Sequence, residues 1–191
     1  MSSGSTDKLT PEALHKLIQA SFKGRDRAYA PYSKFNVGAG LLLADGSMVI
    51  GCNVENAATP AGICAERTAM VKTISDGNKS VIAVAVTSHM PTPTISPCGI
   101  CRQFMREFLP LSTPILMVAA SYPLSDDSVP SYVADLGQHI DSRTAEGEGL
   151  GGSTKEVAGF TWSKEVTVLS LEELLPMSFG PEQLAEGTDK A

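Results

Sequence analysis

The sequence predicts an α/β domain, and three observations predict it. Thr10-Pro11-Glu12 opens a stripe of apolar residues at helical spacing. Asp45-Gly46 is a hairpin turn signal between two strand-like stretches. Val81 to Thr87 and Ile115 to Ala120 are uninterrupted apolar runs, the pattern of strands covered on both faces, with a helix start between them. At 191 residues the chain suits one domain, long enough to bury about 70% of its unfolded surface. Residues 1–9 are expected as a disordered tail, 10–184 as the domain, and 185–191 as a polar tail.

The first helix is expected from Pro11 to about Ala28, with Leu14, Leu17, Ile18 and Phe22 packed inward and His15 on the solvated face. Pro31 pushes Ala30 out of helical geometry and makes Tyr29 to Ser33 a loop. Phe35 stands at a strand entrance. Asn36 to Ala44 and Ser47 to Val54 then form the hairpin. Period-two alternation puts Met48, Ile50, Cys52 and Val54 on one face, and Val49, Gly51, Asn53 and Glu55 on the other. Asn53 and Glu55 therefore aim the same way at a strand end. A carboxamide beside a carboxylate suits vicinal hydroxyls, since it offers donors and acceptors. The alternative is an ordinary polar strand end.

A second helix begins near Cys64 and stops at Asp76-Gly77-Asn78, with Ala69, Met70, Thr73 and Ile74 buried. After the strand at Val81, residues 89–94 form a loop. Ser96-Pro97 reads as a cap with proline at the first helical position. Ile100, Phe104 and Phe108 extend that helix to Leu109, where Pro110 ends it. Ser121 to Gly159 changes character, with prolines, Asp126-Asp127 and a glycine-rich patch; it reads as a long excursion with a short ordered piece near Tyr132 to Ile140. Trp162 to Leu169 returns to strand character and Leu171 to Leu175 to a short helix.

Composition narrows the function. A net charge of −6, with no basic and aromatic-studded face, argues against nucleic acid as the main ligand. Met1 to Asp7 lacks an apolar core, so no secretory signal is expected and the location is read as cytoplasmic. No apolar run is long enough for a membrane span. In that setting the four cysteines, Cys52, Cys64, Cys98 and Cys101, point to metal binding or chemistry rather than disulfides.

Cys64-Ala65-Glu66 and Pro97-Cys98-Gly99-Ile100-Cys101 stand out. Together they offer three thiolates and one free carboxylate. Three protein ligands leave one position of a tetrahedral zinc open for water, whose pKa then falls toward about 7. Glu66 lies about 200° round a helix from Cys64, poorly placed to ligate the same ion and well placed to move protons beside it. Arg67 and Arg102 are candidates to offset the negative charge of the sulfurs. A closed four-cysteine structural zinc using Cys52 is the plain alternative, but Cys52 alternates with core residues and such a site leaves Glu66 without a purpose. A redox C-x-x-C is a further alternative, without a thioredoxin-like βαβ pattern around it. The pairing matches the zinc nucleobase-deaminase signature in the form where cysteine replaces the histidine of H-x-E.

Four longer stretches resemble the homotetrameric cytidine deaminases. They are Ala28-Tyr29-Ala30-Pro31-Tyr32-Ser33-Lys34-Phe35, Gly51-Cys52-Asn53-Val54-Glu55-Asn56-Ala57, Ile63-Cys64-Ala65-Glu66-Arg67-Thr68-Ala69 and Pro97-Cys98-Gly99-Ile100-Cys101-Arg102-Gln103. Leu174 to Pro181 resembles the C-terminal end of that family. The resemblance implies a three-layer α/β/α fold around a mixed five-stranded central sheet. It implies zinc on Cys64, Cys98 and Cys101, and Glu66 as proton shuttle. It also implies Asn53 and Glu55 on the ribose 3′-hydroxyl, Phe35 stacked near the pyrimidine, and the Ala65 amide on the base. Phe179 would reach a neighbouring subunit's pocket. The implied reaction is deamination of cytidine and 2′-deoxycytidine with release of ammonia, as in pyrimidine salvage. Two features depart from the pattern: Thr59 stands where an aromatic residue is frequent, and residues 125–159 read as a loop insertion. A deaminase of another cytosine nucleoside, such as a nucleoside antibiotic, is the nearest alternative. A zinc-stabilised RNA-binding or editing module is a more distant one.

Overall fold

Thr10 Oγ1 accepts from Ala13 N at 3.2 Å and Pro11 occupies the first helical turn, so helix α1 (Pro11–Arg25) starts where expected. It stops short of Ala28. The backbone of Tyr29 is claimed elsewhere: its N–H donates to Asn53 O, and its carbonyl accepts from Glu55 N. The computed structural model describes residues 9–78, 80–91, 93–125, 129–133, 140, 160–161 and 165–183. Leu9, expected in the tail, is buried in the core beside α1.

Strands β1 (Val37–Leu43) and β2 (Met48–Cys52) pair antiparallel, with Gly40 opposite Ile50. Gly46 sits at φ 85°, the left-handed conformation that the Asp-Gly turn requires. Helix α2 (Ala65–Ser75) follows and ends at Gly77, also left-handed at φ 84°. Then come β3 (Val81–Ser88), helix α3 (Gly99–Phe108) and β4 (Pro114–Val118). The chain closes with β5 (Phe160–Thr161), β6 (Val166–Ser170) and a one-turn helix, Leu171–Leu174.

The sheet order is β2-β1-β3-β4-β6-β5. Among these strands only β3 and β4 run parallel, joined through α3, so the sheet is mixed. Five of them have five or more residues; the two-residue β5 adds a sixth at the edge. The sequence suggested one strand over Trp162 to Leu169. Residues 162–164 lie outside the described residues; the described strand runs from Val166 to Ser170 and pairs antiparallel with β5.

Alternation sorts side chains between two cores. Leu42, Ala83 and Ala85 face α1; Leu41, Leu43, Val84 and Val86 face α2 and α3. The layers are therefore α/β/α. Glycines allow the close approach. A Cβ on Gly38 would meet Ser21 O at 2.0 Å, and one on Gly51 would meet Ala65 O at 2.3 Å.

Three expectations are corrected. His15 is buried, not solvated: Nδ1 lies 2.7 Å from Tyr122 Oη and Nε2 lies 3.0 Å from Gln19 Nε2. Ser96 does not cap α3, because its Oγ accepts from Arg102 Nη2 at 2.8 Å; Cys98 is the cap residue. Ile100 is 67% exposed, and the buried stripe of α3 is Cys101, Met105 and Arg106. Turning Cys101 toward the other sulfurs rotates Ile100 outward. Most of the expected insertion at 125–159 lies outside the described residues, although Val133 and Ile140 pack against the α1 side. Among the described residues, no helix is long and apolar enough to cross a membrane.

Candidate active site

Two helix starts meet. Cys64 caps α2 and Cys98 caps α3, both extended, with ψ of 157° and 162° and no side-chain capping bond. Neither thiol is spent on a backbone N–H of its own helix, so both are free to face a common point. Cys101, one turn into α3, completes the group. Cys64 Sγ lies 3.9 Å from Cys98 Sγ, and Cys98 Sγ lies 3.5 Å from Cys101 Sγ. All three sulfurs lie within 4.8 Å of one another. Thiolates about 2.3 Å from a tetrahedral zinc sit about 3.8 Å apart, so the donor set fits that ion. Among the described residues, no other histidine, cysteine or carboxylate joins the group; Cys52 stays in β2. The closed four-cysteine site therefore lacks its fourth ligand.

The charge on the sulfurs is managed locally. A hydrogen bond from Cys101 lowers the Cys64 pKa to about 5, with further help from Arg67, whose Nη2 lies 3.8 Å from Cys64 Sγ. The same hydrogen bond, burial and the nearby Glu66 charge push the Cys101 thiol up. The free N–H groups at the two helix starts add positive potential. Arg102 acts elsewhere: its Nη1 donates to Leu174 O at 2.7 Å and its Nε to Pro97 O at 2.7 Å.

Glu66 is 3% exposed, and burial raises its pKa, with the Cys64 charge adding to the shift. It lines a cleft of about 350 Å³ with Phe35, Asn53, Glu55, Cys64 and Cys98. The structure thus brings together the carboxylate, two of the sulfurs and the expected polar pair. Ala65 is the first residue of α2, fully buried, with an N–H that has no intrahelical partner.

Asn53 and Glu55 do more than end a strand. Asn53 Oδ1 accepts from Val37 N at 2.8 Å, and its Nδ2 donates to Phe35 O at 2.8 Å. Glu55 Oε2 accepts from Tyr32 N at 2.9 Å and Ser33 N at 3.2 Å, while Oε1 accepts from Ser33 Oγ. The Ser33 hydroxyl holds the Glu55 pKa below the usual carboxylate range. Both residues brace the loop that carries Phe35. The Phe35 ring meets His89 edge-on at 4.9 Å between centroids. Sequence reasoning missed Ser33 and His89. The available signal for His89 was its place immediately after a buried strand, on the way to the Cys98 helix.

A second cavity of about 600 Å³ adjoins the cleft, sharing Ser33, Asn53, Glu55 and Cys64, and reaching Arg67, Ile100 and Thr59. Thr59 opens an exposed 3₁₀ turn, Thr59–Ala61. Phe179 does not line the cleft of its own chain; it is 56% exposed, with its carbonyl accepting from Gln103 Nε2 at 2.9 Å.

Known proteins resemble this chain in sequence and fold. Residues 11–117 match the family model described as the cytidine and deoxycytidylate deaminase zinc-binding region. A cytidine deaminase of Sporosarcina psychrophila is 46% identical over 116 residues, covering 61% of this chain and 85% of that protein. A probable cytidine deaminase of Dictyostelium discoideum is 44% identical over 100 residues, covering 52% and 68%. The crystal structure of a cytidine deaminase from Burkholderia pseudomallei superposes with a TM-score of 0.62 at 30% identity, covering 86% of this chain and 98% of that one. A mutant cytidine deaminase from Mycobacterium tuberculosis, 24% identical, shares the fold with a TM-score of 0.57 over 89% of this chain and 97% of that one.

Proposed function

The chain belongs to the cytidine and deoxycytidylate deaminase zinc-binding family, and from that premise we propose that it hydrolyses cytidine and 2′-deoxycytidine to uridine and 2′-deoxyuridine, releasing ammonia. One observation carries the reading: three sulfurs stand at zinc spacing, and two of them line a cleft with a buried carboxylate, Glu66. Zinc, when bound, supplies the Lewis acidity that makes water a competent nucleophile near neutral pH.

The chain's own residues supply the rest. Cys64, Cys98 and Cys101 hold the ion, and Arg67 and the two helix starts offset the charge of the thiolates. Glu66 takes one proton of the attacking water and carries it to N3 of the cytosine; it then takes the second from the hydroxyl now on C4 and passes it to the leaving amine, which departs as ammonia as the C4 carbonyl forms. Burial raises the Glu66 pKa above that of an ordinary carboxylate, which makes it a stronger base for the water proton. The Ala65 N–H faces the base and the Phe35 ring stacks near it. Asn53 and Glu55, having braced the Phe35 loop, turn their remaining acceptors and donors to the ribose 3′-hydroxyl. Phe179 comes from a neighbouring subunit of a homotetramer. The protein works in the cytoplasm, in pyrimidine salvage, without membrane or nucleic-acid partners.

The test is zinc content measured beside ammonia release from cytidine, 2′-deoxycytidine and free cytosine. The expected result is about one zinc per chain with turnover of both nucleosides and little of the free base, because the base alone gives Asn53 and Glu55 nothing to hold. Cys98→Ala should lose metal and activity together. A full zinc complement in that variant, or a wild-type protein that ignores cytidine, would end the reading.

A further inference from the structure

Phe179 is exposed, yet the backbone that carries it is held at several points. Arg106, on α3 and only 7% exposed, turns its guanidinium toward the C-terminal segment. Its Nε donates to Ser178 Oγ at 3.0 Å, and its Nη2 pairs with Glu182. One turn earlier on the same helix, Gln103 Nε2 donates to Phe179 O at 2.9 Å. Gly180 lies against the guanidinium, where a Cβ would meet Arg106 Nη2 at 2.2 Å. Gly180 N donates to Gln183 Oε1 at 2.6 Å. Met177, at φ 55°, turns the chain into this clasp.

A buried guanidinium needs its partners, so it fixes the atoms that serve it. Here those atoms flank Phe179 on both sides in sequence, while the phenyl ring stays in solvent. A ring presented on an immobilised backbone loses little entropy when it enters a pocket. The same chain offers a receptor: the cavity of about 600 Å³ beside Cys64 and Arg67, bordered by Tyr32 and Ile100, which are 62% and 67% exposed.

We propose that Arg106 is a positioning residue for the cleft of a neighbouring copy: through Ser178 and Glu182 it fixes the backbone so that Phe179 enters the second copy's cleft already oriented. The inference rests on the reading that Phe179 completes a neighbour's pocket. It adds that the clasp on α3, and not Phe179 alone, sets the affinity for substrate.

The experiment compares cytidine deamination by the wild type, Glu182→Gln, Phe179→Ala and the double variant, with melting temperature and zinc content measured on each. Glu182 is half exposed and glutamine can still accept from Arg106, so the melting temperature read beside the kinetics separates a loosened clasp from a destabilised fold. Glu182→Gln should raise KM about tenfold while kcat stays within about twofold, because a loosened ring reduces binding and leaves the chemistry in place. Arg106→Lys, which keeps the charge but loses the fork that reaches Ser178 and Glu182 together, should raise KM at least as far as Glu182→Gln and no further than Phe179→Ala. The double variant should match Phe179→Ala alone, since the clasp acts through that ring. An unchanged KM in Glu182→Gln, or effects that multiply in the double variant, would overturn the clasp. An unchanged KM in Phe179→Ala would remove the neighbour-pocket reading and the clasp with it. A wild type that does not deaminate cytidine would remove all three.

Discussion

Glu66 and Tyr122 are both buried titratable groups, and their surroundings give them different work. Glu66 faces the cleft, with its pKa raised by burial and by the charge on Cys64. Glu66→Gln keeps the shape and burial but removes the group proposed to carry the proton. It should retain zinc and melting temperature and lose turnover by about 10²–10⁴-fold or more, read as ammonia release against metal content. Activity within a few-fold of wild type would show that another group carries the proton. Tyr122 faces His15 in the core, and burial holds its phenol pKa above the ordinary value. Its unfolded pKa is about 10, so the folded state keeps the proton better than the unfolded one. The associated stability is present below pH of about 10 and falls as pH rises beyond it. Tyr122→Phe should flatten that alkaline limb of unfolding while lowering neutral-pH stability by about 1 kcal/mol, because His15 loses a partner. An alkaline limb as steep as the wild type's would point to other groups. The two residues also mark what was legible. Glu66 was readable because it stands two residues from Cys64 and next to Arg67, inside one short motif of the chain. His15 was misread because its cover, Tyr122, comes 107 residues later. Asn53 and Glu55 were legible as a pair, but the loop they brace was not, since Ser33 and Phe35 sit across a gap no local pattern spans.

At the scale of elements, the site depends on how closely α2 lies on β2. Gly51 makes that approach possible. A Cβ there would sit 2.3 Å from Ala65 O and 2.5 Å from Ala69 N, backbone atoms that cannot rotate away. Gly51→Ala should therefore push α2 outward and carry Cys64 and Glu66 with it. Stability should fall by about 1–3 kcal/mol, and zinc retention and turnover should fall together. Unchanged metal content and melting temperature would mean that the helix slides without moving its first turn. The helix starts show why motif reading placed the thiols but misplaced a cap. Ser96-Pro97 has the composition of a cap, yet Ser96 Oγ is engaged by Arg102 and the helix begins at Gly99. The cysteines hold the cap positions without making a capping bond, so their sulfurs stay available to the opposing helix. The stripe on α3 shifted for the same reason: Cys101 must turn inward, so Ile100 turns out. Local propensity cannot see a ligand that orders two helices at once.

For the whole molecule, the three layers and the mixed sheet followed from the resemblance. The strand order β2-β1-β3-β4-β6-β5 needed partners that periodicity does not name. That order places the ends of β2 and β3 side by side across β1, so the chain leaves both toward the same site. Cys64 follows β2 and Cys98 follows β3, so an ion held by them joins two separate excursions from the sheet, whose helices α2 and α3 already share one core. Folding and metal binding are therefore linked, because the unfolded chain offers the three sulfurs no fixed geometry. Chelation should lower the melting temperature without unfolding the domain, since neither core is built from the three sulfurs. With free zinc about 100-fold above its dissociation constant, the linkage is worth about 2.7 kcal/mol, or about 5–10 °C in a domain of this size. Adding zinc back should restore the original value, whereas magnesium, which prefers oxygen ligands, should not. A melting temperature that stays fixed after the metal is shown to have left would mean that the sulfurs hold their positions unaided, and that the ion serves the chemistry alone.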